Sequence, residues 1–152
     1  KVFDIDLTYL TSRGNWYYSS WKGDQIKSGG IATNIGVHFF DMLQWIFGPM
    51  ENSTVAIKTK DTNSGTLTFK QARVNWYLSI NAENLPQKAK DQGLPTFRTL
   101  SIQGEDIEFS KGFTDLHTVS YKKILAGEGY GLLDAKSSIE IVSEIRNNKN
   151  GN

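Results

Sequence analysis

At Gly48-Pro49 the hydrophobic period of this chain changes from that of a helix to that of a strand. Before this point Val37, Phe40, Leu43 and Phe47 make one apolar helical face, with Phe39, Met42 and Ile46 beside it. A glycine just past the end and a proline beyond it stop that helix. After it, apolar and polar residues alternate. Residues 54–60 carry Val55 and Ile57, and residues 65–69 carry Leu67 and Phe69. Residues 72–80 set Val74, Trp76, Leu78 and Ile80 on one face against Arg73, Asn75, Tyr77 and Ser79 on the other. Asp61-Thr-Asn-Ser-Gly65 is a turn by composition. The spacing predicts an antiparallel meander with one face on a core.

The remaining elements fit around this meander. The chain opens on a strand pattern, with Phe3, Ile5, Leu7 and Tyr9 alternating with Asp4, Asp6 and Thr8. Residues 11–30 read as a long surface loop with strand character over 16–21, and Thr33 or Asn34 as the N-cap of the helix that follows. Residues 81–95, with two prolines and a glycine, read as a loop. Residues 97–103 and 107–109 read as a hairpin around Gly104-Glu-Asp. Two helices close the chain. One covers 116–126 and stops at Gly127; the other starts at an Asp134 N-cap and buries Ala135, Ile139, Val142 and Ile145. Gly127-Glu-Gly129-Tyr-Gly131 is the turn between them, and the tail 147–152 is expected to fray. The fold class is therefore α+β: a mostly antiparallel open sheet with helices packed on one face. Whichever face the helices cover, aromatic surface from Trp76 or Tyr77 is expected on the other, a candidate association surface.

Composition narrows the function classes. A length of 152 residues suits one domain, 1–152, and 38% hydrophobic content supports a packed core. The net charge is +1 with the cations scattered, unlike the basic stripe of a nucleic-acid binder. There is no cysteine, which removes disulfides, thiolate metal sites and thiol catalysis, and two distant histidines make a poor zinc site, so no metal is expected. No apolar run approaches the ~20 residues of a membrane span, and no signal peptide is present, so the expected location is cytoplasmic. A chain that begins in a strand without Met reads as a fragment of a longer protein.

The chemistry concentrates in the run from Ser28 to Asp41. Asn34, His38 and Asp41 fall at i, i+4 and i+7, one face of a helix. Gly29, Gly30 and Ala32 are small enough to let a ligand approach the backbone. The preceding segment supplies Arg13, Lys22 and Lys27, cations suited to an anionic substrate. Tyr17, Tyr18 or Trp21 can pack against a sugar or base face. His38 is the candidate catalytic residue, a proton-transfer group on a helix. The bland alternative is a hydrogen-bonded helical histidine, with Asp41 its i,i+3 partner. For each cation the alternative is a solvated surface charge. His117 carries no catalytic assignment.

Gly29-Gly30 followed by Asn34-Ile-Gly36-Val-His38-Phe-Phe-Asp41 resembles the G-G-x-x-x-D-x-G-x-H-x-x-D signature of Gfo/Idh/MocA-type oxidoreductases. Those are NAD(P)-dependent sugar and cyclitol dehydrogenases with an N-terminal Rossmann domain and a C-terminal α+β domain. The resemblance spans essentially the whole chain, as the C-terminal domain alone. Thr11-Ser-Arg-Gly-Asn-Trp-Tyr17, Ser20-Trp-Lys-Gly-Asp24, the run from Lys27 to Met42, and Gly112-Phe-Thr-Asp-Leu-His-Thr118 resemble the UDP-N-acetylglucosaminuronate 3-dehydrogenase branch, which serves O-antigen and lipopolysaccharide synthesis. The resemblance implies that His38 lies near the sugar hydroxyl to be oxidised. Asn34 stands where most of the superfamily has Asp; an amide takes no proton, so it is left to orient the hydroxyl or His38. The family's E-K-P lysine and its G-x-G-x-x-G dinucleotide fingerprint are both absent from this chain.

The leading expectation is thus the substrate-binding half of an NAD(P)-dependent sugar dehydrogenase, oxidising the 3-hydroxyl of a UDP-N-acetyl-hexosaminuronic acid. Its expected site is catalytic His38 with substrate-binding Arg13, Tyr17, Lys22, Lys27 and Asn34. NAD or NADP would be held mainly by the missing N-terminal domain, and the fragment alone would be inactive. The expected partners are a nucleotide-sugar substrate and further copies of the chain through the open sheet face, with neither nucleic acid nor membrane. Two alternatives stand beside this: a non-catalytic binding or dimerisation module, and the same superfamily acting on a free sugar or inositol.

Overall fold

β1 (Phe3–Thr11) is the hub of the molecule. It lies inside a six-stranded sheet, with β4 (Ala72–Ser79) parallel on one side and β5 (Thr96–Ile102) antiparallel on the other. β3 (Thr62–Phe69) and β2 (Met50–Lys58) extend the sheet beyond β4, and β6 (Glu105–Glu108) extends it beyond β5, giving the order β2-β3-β4-β1-β5-β6. Every pairing except β1–β4 is antiparallel, so the 54–80 meander forms as its alternation predicts. The computed structural model describes residues 1–109 and 115–148. The Gly112-Phe-Thr part of the motif ending at Thr118, and the tail 149–152, lie outside the described residues.

One face of the sheet makes the core. Ile5, Leu7, Leu67, Val74, Trp76 and Leu78 are buried there under α3 (Val37–Phe47) and α6 (Leu132–Asn147). The Phe40 ring meets the Trp76 indole edge-on, centroids 5.6 Å apart. Two polar ties fasten α6 to β2: the Ser53 hydroxyl donates to Glu144, and the Lys58 ammonium donates to the Arg146 and Asn148 carbonyls at the helix C-terminus. The opposite face carries the expected Tyr77, but among the described residues it is mostly polar. Trp76 is wholly on the covered side, and the open side shows Asp4, Asp6, Thr8, Thr66, Thr68, Arg73 and Asn75, with Tyr77 half-buried. These polar groups bond to one another: Asn75 donates to Asp6 at 3.0 Å, and the Thr66 hydroxyl donates to Asn75 at 3.3 Å.

Several local expectations are corrected by the same physics. Ile57 does not join Val55 in the core. A bulge between them puts Val55 opposite Gly65 but Ile57 opposite Ser64, so the alternation flips and Ile57 faces out. Thr11 still belongs to β1, and residues 12–30 hold no strand. They form α1 (Asn15–Ser19), a 3-10 turn (Trp21–Gly23) and α2 (Gln25–Ser28). Caps decide this: the Ser20 hydroxyl accepts the Lys22 N–H, and the Asp24 carboxylate accepts the N–H groups of Ile26 and Lys27. Residues 81–95 contain a 3-10 turn (Ala82–Asn84), with the Asn81 side chain accepting from Glu83, and α4 (Gln87–Asp91) begun by Pro86. The β5–β6 hairpin turns one residue earlier than expected, at Gln103-Gly104, both with positive φ, the signature of a two-residue turn.

The closing helices are α5 (Leu116–Leu125), which buries none of its residues, and α6. Asp134 is not the N-cap of α6. It stands in the first turn, and its carboxylate accepts the Gly131 N–H at 2.7 Å. The buried face runs through Ser138, Ile141, Val142 and Ile145, while Ala135 and Ile139 are exposed, because the helix rests on both α3 and β2.

Candidate functional site

The helix that carries the site begins before its α-helical part. Right-handed helical backbone runs unbroken from Ile31 to Phe47, and residues Ala32–Gly36 form a π turn. Such turns are frequent at functional sites. Gly29 and Gly30, both at positive φ near 78°, reverse the chain out of α2 into this turn. The expected N-caps are interior residues instead. The Thr33 hydroxyl donates to the Gly29 carbonyl at 3.0 Å, and the Asn34 amide donates to the Gly30 carbonyl at 3.1 Å. The Asn34 amide nitrogen also reaches the Lys22 carbonyl at 3.4 Å. Its two donors thus face backbone oxygens, and among the described residues no donor bonds to Oδ1, which is left as an acceptor.

A cleft of about 470 Å³ opens beside this helix at the C-terminal end of β1. Asn34, His38 and Asp41 line one wall, as their spacing predicts. Tyr9 and Arg98 line the sheet wall, Arg13 lies at the end of β1, and Leu116 stands at the edge. The Tyr9 ring packs on Phe39 at 4.9 Å, and the Arg98 guanidinium lies over the Tyr9 ring at 5.4 Å. Arg13 is fixed through its backbone, its N–H bonded to the Ile80 carbonyl at 3.2 Å. Its side chain is exposed, and no carboxylate pairs with it among the described residues. Nor do His38 and Asp41 form an ion pair among the described residues, although both line the cleft. A wider groove of about 800 Å³ lies on the other side of His38, between α3 and α6, but its lining carries no Arg or Lys.

The other expected binding residues lie apart from the cleft lining. Tyr17 is 3% exposed, so its ring has no free face for a sugar. Its hydroxyl is buried beside Asn34 and Arg13 and completes no well-formed hydrogen bond among the described residues. Burial pushes this phenol up from its ordinary value, against a smaller downward pull from the Arg13 cation and the Asn34 amide. Lys22 is exposed, with its ammonium over the Trp21 ring at 5.9 Å. Lys27 is exposed and pairs with Asp24 at 3.8 Å. Asp24 is held below the usual carboxylate range, first by the Lys27 backbone N–H. Sequence reasoning missed Arg98 and Tyr9 as cleft residues. The only available signal was the register between two strands distant in sequence, which aligns Tyr9 with Arg98.

Fold and cleft together describe a known architecture. Residues 1–106 match the oxidoreductase family, C-terminal alpha/beta domain, and the chain belongs to that family, Gfo/Idh/MocA. It is similar to the WlbA (WbpB) dehydrogenase of Thermus thermophilus, crystallised with NAD and alpha-ketoglutarate, at 48% identity and a TM-score of 0.90, over 97% of this chain and 48% of that one. The same dehydrogenase in complex with NAD and UDP-GlcNAcA matches at 47% identity and a TM-score of 0.89, over 96% of this chain and 47% of that one. The WlbA dehydrogenase of Bordetella pertussis, at 16% identity and a TM-score of 0.70 over 99% of this chain and 52% of that one, shares the fold. The chain spans about half the length of these dehydrogenases.

Proposed function

We propose that this chain is the substrate-binding half of an NAD(P)-dependent dehydrogenase that oxidises the 3-hydroxyl of a UDP-N-acetyl-hexosaminuronic acid in lipopolysaccharide O-antigen synthesis. The observation that carries the reading is the cleft that joins His38 and Asn34 to two guanidinium groups. It gains weight from near-half identity to a dehydrogenase crystallised with NAD and UDP-GlcNAcA.

Oxidation of a secondary alcohol removes a proton from oxygen and a hydride from carbon. A bound nicotinamide supplies the hydride acceptor. His38 takes the proton: it is exposed on the first turn of α3, in reach of a ligand in the cleft. Asn34 presents Oδ1 and orients the sugar by accepting one of its N–H or O–H groups. Arg13 faces the anionic part of the substrate, and Lys22 and Lys27, outside the lining, meet the outlying pyrophosphate. Tyr17 supports Asn34 and Arg13 from below rather than stacking on the sugar. The dinucleotide fingerprint is missing from the sequence, so the cofactor is assigned to the remainder of a longer protein, and this chain alone to no turnover. Such a substrate and cofactor put the reaction in the cytoplasm; among the described residues no helix is long and apolar enough to cross a membrane. Association of copies through the open sheet face remains part of the proposal, with Tyr77 set among polar contacts.

The test is oxidation of UDP-GlcNAcA by the full-length enzyme, followed as reduced nicotinamide. His38→Ala should lower kcat by about 10²–10⁴-fold with a small change in substrate affinity. A wild-type kcat in that variant would remove His38 from catalysis. Failure of the wild type to oxidise the uronate would remove the substrate assignment.

A further inference from the structure

Arg98 is the second guanidinium of the cleft, and its placement differs from that of Arg13. Arg13 is exposed and follows the end of β1. Arg98 is half-buried inside β5, directly opposite Tyr9 of β1. Its guanidinium rests over the Tyr9 ring at 5.4 Å, and that ring packs at 4.9 Å on Phe39, the residue after His38. A planar cation carried by an inner strand and supported by an aromatic stack loses little freedom when it binds an anion. It stands on the sheet wall of the cleft, while His38 stands on the helix wall.

We propose that Arg98 recognises the sugar carboxylate and so sets the preference for a uronate over a neutral nucleotide sugar; this rests on the reading of the cleft given above. In a hexosaminuronic acid the carboxylate hangs from C5, which is joined to C3 through C4 alone, so the carboxylate and the C3 hydroxyl leave the ring in divergent directions. A base at C3 and a cation at the carboxylate can therefore stand on different walls of one cleft, as His38 and Arg98 do. The pyrophosphate leaves from C1, toward Arg13 and the exposed lysines. A guanidinium suits the carboxylate because its fork pairs with both oxygens.

Full-length wild-type, Arg98→Gln and Arg98→Lys enzymes decide this, with three ligands. UDP-GlcNAcA carries both anions. UDP-GlcNAc replaces the carboxylate by a hydroxymethyl group, and UDP carries the pyrophosphate alone. Arg98→Gln should raise KM for UDP-GlcNAcA by about 10–100-fold, the scale of a lost charge-assisted pair. The Ki values of UDP-GlcNAc and UDP should stay within about twofold of wild type, and Arg98→Lys should fall between. An equal loss for all three ligands would mean a merely structural Arg98 and overturn the proposal. Weakened UDP binding would assign Arg98 to the pyrophosphate and overturn it too. If Arg98→Gln fails to fold, Arg98→Lys decides alone, by whether its loss is confined to the uronate. If the wild type does not oxidise UDP-GlcNAcA, the functional reading fails separately. Arg98 is then judged by direct binding, where loss of the preference for the uronate over UDP-GlcNAc in Arg98→Gln supports it and its persistence refutes it.

Discussion

Gly36 is two residues from His38 and offers the sharpest perturbation of the site without touching a cleft side chain. Its backbone is ordinary right-handed helix, φ −65° and ψ −34°, so alanine is compatible with the conformation and gains about 1 kcal/mol of helix propensity. Packing opposes this. A methyl group there would sit 2.7 and 2.8 Å from two Phe40 ring carbons and 2.9 Å from the Leu78 Cδ1. Both neighbours are fully buried, and Phe40 is held against Trp76. Overpacking of this kind costs about 1–3 kcal/mol. The net effect of Gly36→Ala is a loss of up to about 2 kcal/mol, the overpacking cost less the propensity gain.

Relief of the clash moves the helix off the sheet, since restoring the shortest contact from 2.7 to 3.4 Å needs about 0.7 Å. His38 rides on that helix. Misplacement by about 1 Å can cost ~100-fold in rate, so kcat should fall by roughly 10-fold or more. The melting temperature of the full-length enzyme should drop by as much as roughly 8 °C, at about 2–4 °C per kcal/mol for a domain of this size. The double variant Gly36→Ala/Phe40→Leu should recover part of both losses, through coupling of about 0.5–3 kcal/mol. A Gly36→Ala enzyme that melts higher than wild type with unchanged kcat would refute the reasoning, because propensity would then have beaten packing.

Gly65→Ala would place a methyl group 2.0 Å from the Thr54 carbonyl oxygen, a backbone atom of the paired strand, so a loss of about 3 kcal/mol or more is expected and a wild-type melting curve would contradict it. The Asp24 cap has a lowered carboxyl pKa, so its stabilisation is present above the unfolded value of about 3.9 and is lost as pH falls through the lower folded value. Amide exchange at Ile26 and Lys27 should therefore accelerate at that acidic end, and should already be fast at neutral pH in Asp24→Ala.

The elements legible in the sequence were those whose burial pattern is set within one segment. Val74 and Trp76 alternate with the exposed Arg73 and Asn75 because β4 has one face on the core, and periodicity alone states this. Ile57 was misread because a bulge is a relation between two strands, not a pattern in one. Ile139 was misread for a similar reason: α6 faces α3 and β2 together, and no single helical stripe records that. The π turn hid behind an apparent cap, since Thr33 and Asn34 are good cap residues that bond backward from inside a helix. In the cleft, the i, i+4, i+7 wall of Asn34, His38 and Asp41 was visible. Arg98 was not, because an arginine in a strand acquires meaning only from the register that seats it on Tyr9.

The amide at position 34 is the departure from the family pattern, and the fold explains why it suits this chain. Two backbone carbonyl oxygens, from Gly30 and Lys22, point at the end of this side chain. A carboxylate there would face both with negative charge; an amide faces them with two N–H donors. The second of these bonds fastens the 3-10 turn at Trp21–Gly23 to the helix, so the residue that shapes the cleft wall also holds the cationic segment beside it. Having spent its donors on the backbone, Asn34 meets a ligand only as an acceptor. A sugar hydroxyl to be oxidised must give its proton to a base, and an amide oxygen is not one. The amide is better matched to a group that keeps its hydrogen, such as the acetamido N–H or a neighbouring hydroxyl of the proposed sugar. On the proposed reading, that division leaves the reacting proton to His38 and the positioning of the sugar ring to Asn34.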